Sequence, residues 1–157
     1  MNAHCRSIAI APAVTLALLF TLTIQSRAAI DDSVPAPQFI TQLEQRASQA
    51  QPREQLFLYT QLVHSMTQLA GKQFFDGEYE EGAATLKKVE HYAQLIHNNL
   101  AKDTKRVKDA EMLMEHTTVR LGEFMHHASG DDREALQATL KKLDHVHDEL
   151  LAQVFVH

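Results

Sequence analysis

Histidines and carboxylates are the residues whose types and spacing could carry chemistry in this chain: it has 10 His and 20 Asp plus Glu in 157 residues. Glu123-x-x-His126 and Asp144-x-x-His147 share a spacing that puts both groups on one side of a helix, as in the ligand sets of di-iron bundles. A helical wheel argues against that centre, because Glu123 and His126 lie far round from Leu121, Phe124 and Ala128 and are expected to face water. His91, His116, His127 and His145 also point away from the apolar stripes, where neutral imidazole would suit only a surface Zn or Cu ion. His97, beside Ala93 and Leu100, and His147, beside Leu143 and Leu150, instead fall on inner stripes. They follow Gly77 and Gly130 by similar distances, so at about 1.5 Å per residue they are expected at matching heights and are the candidate metal pair. With inward Met66 and Met114 they would make a His and Met set for copper or haem, held without a Cys-x-x-Cys-His attachment.

No glycine-rich phosphate loop, nucleophile elbow or His-Glu-x-x-His motif is present, so the sequence gives no catalytic residue. Export is the clearer signal. Arg6 precedes an apolar run from Ile8 to Ile24, and Ser26-Arg27-Ala28 supplies small residues at the positions a secretory cleavage site needs. Residues 1–28 are therefore read as a signal peptide, the alternative being an uncleaved N-terminal membrane anchor. The only cysteine, Cys5, lies in that segment, so the mature chain has no disulfide and no thiolate ligand. Without Arg6 and Arg27 the Lys plus Arg count falls from 15 to 13 against 20 acidic residues, and the formal charge moves from −5 to −7. Such a chain is not built to hold nucleic acid or an anionic membrane by bulk charge. The cluster of Lys102, Lys105, Arg106 and Lys108 reads as a solvated helix start.

These groups must be positioned by helices. A linker over 29–37 leads to a short amphipathic helix bearing Phe39, Ile40, Leu43 and Ala47, and Pro52 opens the next helix, where its missing N–H costs nothing. Leu56, Leu62, Val63, Met66 and Ala70 form the stripe of that second helix, which stops at Asp76-Gly77. Leu86, Val89, Ala93 and Ile96 mark the third, and Val107, Ala110, Met114 and Leu121 mark the fourth. The two stripes are out of phase by roughly a quarter turn, which requires a break near Asn98–Asp103, with Asp103 as the next cap. Asp131 and Glu134 resemble a capping box for a fifth helix carrying Leu136, Leu140, Leu143, Val146 and Leu150.

Ala84-Thr85-Leu86-Lys87-Lys88-Val89-Glu90-His91 recurs as Ala138-Thr139-Leu140-Lys141-Lys142-Leu143-Asp144-His145. The chain is thus an internal duplication of a helical hairpin, and the expected fold is all-α: a four-helix up-down bundle over 38–157, with the short N-terminal helix packed across an end. Met66-x-x-Leu69-Ala70, Phe74, Asp76-Gly77-Glu78-Tyr79 and Gly82, with Thr118-x-x-Leu121-Gly122 in the second copy, resemble a tetratricopeptide repeat, although the period is near 53 rather than 34 residues. That resemblance implies a protein-binding scaffold. The sequence therefore points to an exported, periplasmic or secreted, non-catalytic interaction or structural module working with an envelope protein. Phe57 and Phe75, off the main stripe, are the candidate contact surface, unless the first helix covers them. The alternative is a bundle binding Cu, Zn or haem through His97 and His147.

Overall fold

The computed structural model describes residues 33–100, 105–128 and 130–156, as five helices: α1 Pro37–Gln49, α2 Pro52–Asp76, α3 Tyr79–Asn99, α4 Val107–His127 and α5 Gly130–Val156. The expected signal peptide, Cys5 and the expected cap Asp103 lie outside the described residues. No helix among the described residues is long and apolar enough to cross a membrane.

Local chemistry accounts for the boundaries. Pro37 and Pro52 each stand at a helix start. At the α2 end Gly77 adopts φ 82, and its N–H donates to the Phe74 carbonyl while the Glu78 N–H donates to that of Gln73, at 3.2 and 2.8 Å. This pair of bonds satisfies the last carbonyls, and glycine alone takes the left-handed turn without strain. α3 ends at Asn99, where the phase slip demands it. α5 begins at Gly130, and Asp131 and Glu134 both stand in its first turns.

Packing follows a simple register. α2 meets α3, and α4 meets α5, as antiparallel hairpins; α2 then lies beside α4, and α3 beside α5. Cross-helix partners between the hairpins keep a nearly constant spacing: Lys105 N–H donates to Arg53 O at 2.9 Å, His64 bonds Thr117 at 3.0 Å across 53 residues, and the Phe124 ring lies against Gly71. Likewise Thr139 donates to Glu90 at 3.0 Å, and His97 to Glu149 at 2.8 Å across 52 residues. Such spacing requires α2 and α4 to run parallel, and α3 and α5 likewise. The hairpins stack in register, each helix beside its own copy.

The core is the union of the expected stripes, with Leu56, Leu62, Met66, Val89, Ile96, Met114, Leu121, Leu136, Leu143 and Leu150 all sealed from solvent. Each such side chain contributes about 1.5–3 kcal/mol on burial. α1 folds back along α2 instead of crossing an end of the bundle: Gln55 Nε2 donates to Ala47 O at 3.3 Å, and Tyr92 of α3 donates its hydroxyl to Glu44 at 3.2 Å. Ile40, Leu43 and Ala47 are buried there, but Phe39 stays half exposed.

Two tests follow from this packing. A Cβ on Gly71 would stand only 2.2 Å from the Phe124 ring. Gly71→Ala is expected to destabilise by about 1–3 kcal/mol despite alanine's better helix propensity. In a denaturant double-mutant cycle Phe124→Ala should remove much of that cost, and simple additivity would disprove the contact. Burial first, and then the negative charge of Glu44, push the Tyr92 hydroxyl up to about 12 from 10.0. The folded state thus favours the neutral phenol, a contribution present below pH 10 and lost as pH rises through about 12. The melting temperature of Tyr92→Phe should fall less steeply across that window than that of the parent.

Candidate functional site

Two surface features stand out, on opposite sides of the stacked hairpins. The first is a groove along α2 and α4. Its upper part, of ≈ 550 Å³, is walled by Val34, Phe39, Phe57, His64, Arg106 and Met112, among others. Its lower part, of ≈ 680 Å³, is walled by Gly71, Phe74, Phe75, Tyr79, Arg120 and Phe124. Val34 and Gln68 border both parts, so the two are continuous. The extended segment preceding α1 lays Val34 across the middle.

The walls owe their shape to the parallel register. Arg106 takes φ 62, a left-handed conformation uncommon for a side chain of its size. It is held there by the Asp109 carboxylate at 2.7 Å and by stacking of its guanidinium 3.6 Å above the Phe57 ring. Phe57 is therefore half-buried, covered by Arg106 of the second hairpin. Phe75 lies at the other end and is 89% exposed. Beneath the groove floor, His64 is only 7% exposed. Thr117 Oγ1 donates to Leu113 O at 2.6 Å, so it accepts from His64 Nδ1–H, which fixes the imidazole tautomer. The His64 and His116 rings pack 5.6 Å apart. Gln68, 2% exposed, has no partner for its side-chain Nε2 among the described residues and borders both halves of the groove.

The second feature lies on α3 and α5. His97, His145 and Glu149 bring one donor atom each within 4.8 Å of one another. His147 does not join them. It faces α4 instead, where its Nε2 lies 3.1 Å from Glu111. The expected equal heights hold in that His97 meets the turn of α5 containing His147, but residues 145 and 149 are two positions from 147, about 200° round the helix. The candidate pair His97 and His147 is thus replaced by His97, His145 and Glu149. Met66 and Met114 lie in the sealed core, so the expected His and Met set is not assembled.

Glu123 pairs with Arg120 at 2.6 Å and His126 is exposed, in keeping with the wheel. Asp144 is exposed; its carboxyl is pushed up first by desolvation and then by the charge of Asp148, while His147 opposes the shift. Sequence reasoning missed His64, Gln68, Arg106 and Glu149. The first two had a signal, since both stand within the apolar turns of α2; the others depend on which helices become neighbours.

Compared with family models, with curated proteins and with solved structures, the chain matches none.

Thr117→Val keeps the shape of the seam and removes the acceptor of a buried imidazole N–H. A loss of about 1–3 kcal/mol in denaturant unfolding is expected, and a change under 0.5 kcal/mol would show that the bond contributes nothing.

Proposed function

We propose that this chain is an exported, non-catalytic interaction module of the cell envelope, which holds an apolar helical segment of a protein partner in the groove along α2 and α4. One observation carries the reading: a continuous apolar groove remains open on the very face where the two hairpins lie side by side, with Phe39, Met112, Phe75 and Tyr79 exposed along it. Isolated exposed apolar side chains are ordinary, but a contiguous set framed by charged residues is the usual mark of a binding face. From Phe57 to Phe75 the groove follows 18 residues of α2, about 27 Å at the helical rise, which suits a helix of similar length laid between two parallel ones.

Chemistry supports a protein segment over a lipid chain. Charges of both signs flank the apolar floor: Arg106 and Asp109 at one end, Lys72, Arg120, Glu123 and Asp132 at the other. The resemblance to tetratricopeptide hairpins and the N-terminal export signal favour the same assignment, a scaffold acting outside the cytoplasm.

Site-specific photo-crosslinking in the exporting host tests this. Benzoylphenylalanine placed at Met112 and at Phe75 is expected to capture the same protein, while placed at Gln94, on the exposed side of α3, it should capture none. Phe75→Ser should lower capture at Met112 by about tenfold, the equivalent of 1.4 kcal/mol, with the melt unchanged. Equal adducts at all three positions, or capture indifferent to Phe75→Ser, would overturn the groove.

A further inference from the structure

The α3–α5 face carries chemistry that the groove does not use. Glu149 receives His97 Nδ1–H on both carboxylate oxygens, at 2.8 and 2.9 Å, and His145 Nε2 lies 3.5 Å from its Oε1. The His97 and His145 rings are 6.3 Å apart. We propose that His97, His145 and Glu149 form a binding site for a divalent transition-metal ion, Zn²⁺ or Cu²⁺, that clamps the second hairpin to the first.

The donor set is two imidazoles and a carboxylate, which suits borderline ions and leaves a further position for water. A tetrahedral ion bonded at about 2.0–2.1 Å holds its donors roughly 3.4 Å apart. The His145 to Glu149 separation already matches this, the His97 to Glu149 contact has to open by about 0.6 Å, and the two imidazole donors, within 4.8 Å of each other, have to close by up to about 1.4 Å. His145 and Glu149 are one turn apart on α5, so a single helix face presents both, and α3 supplies the third donor from across the seam. Coordination through Nδ1 of His97 requires its proton to sit on Nε2, so on binding the imidazole exchanges its bond to Glu149 for a shared ion. Magnesium and calcium prefer six or more oxygen donors and fit this set poorly.

The cluster is not a by-product of the duplication. With Ala84 opposite Ala138, the counterparts of Glu149 and His97 are Leu95 and Leu151, so only His145 has a repeated equivalent, His91. His91 packs on Tyr92 at 5.3 Å.

The test uses the untagged chain. Titration calorimetry with ZnCl₂ and with CuSO₄ is expected to give one ion per chain at this site. A hundredfold excess over the dissociation constant should raise the melting temperature by about 10 °C. His145 is highly exposed and lies outside the His97 to Glu149 bond, so His145→Ala should leave the metal-free melt unchanged while lowering affinity at least tenfold. His145→Ala/Glu149→Gln should abolish the thermal shift, and His126→Ala/His127→Ala should retain it. Retention of the shift in His145→Ala/Glu149→Gln, an equal shift with MgCl₂, or no binding of either transition ion would overturn the site. Phe75→Ser should bind metal normally, which separates this proposal from the groove.

Discussion

The structure depends on one constraint: two copies of a hairpin must bury their apolar stripes against each other in parallel register. Neither hairpin alone can remove Leu62, Met66, Met114 and Leu121 from water. Stacking in register does so and sets each helix beside its own copy. His64 and His116 occupy corresponding places in the two copies, and their rings lie in contact. Lys105 and Arg53, Thr117 and His64, Phe124 and Gly71 record nearly the same offset, 52 or 53 residues. Gly71 is then required by the register: the approach that seals the seam leaves no room for a side chain opposite Phe124.

Enclosure of α2 is the second consequence. Three helices surround it, whereas α3, α4 and α5 each have two principal neighbours. Its polar flank, with Thr60, His64, Ser65, Thr67 and Gln68, is therefore buried along with its apolar stripe. Burying hydroxyls and an imidazole costs stability unless they are paired. Thr60 pairs with the Leu56 carbonyl at 3.0 Å and His64 with Thr117, whereas the Thr67 hydroxyl and the Gln68 Nε2, the latter beside the groove, have no partner among the described residues. The least satisfied part of the interior thus lies beside the most open part of the surface.

Much of the fold was legible in the sequence because amphipathic helices declare themselves through periodicity. The stripes of α2 to α5, the stop at Gly77 and the break after Asn99 all follow from local rules. What sequence could not supply was azimuth between helices. His97 and His147 share a height, yet a rotation of about 200° separates His147 from the pair that faces His97. Arg106 over Phe57, and Glu149 between two histidines, are tertiary outcomes with no signature at short range. The polar flank of α2 was hidden for a different reason: periodicity detects apolar burial, and a row of Thr, Ser and Gln reads as a solvated face until a third helix covers it.

Both candidate sites straddle the same boundary. The groove is formed by α2 of one hairpin and α4 of the other, and the histidine cluster by α3 of one and α5 of the other. Anything bound at either place interacts only with hairpins that are docked. Occupancy on one side therefore favours the other side to the extent that undocked hairpins are populated, and by no more than that population allows. In the intact chain the sealed leucines hold that population low, so the two sites act nearly independently. Loosening the seam is what would couple them, because a ligand can shift only an equilibrium that is already near balance.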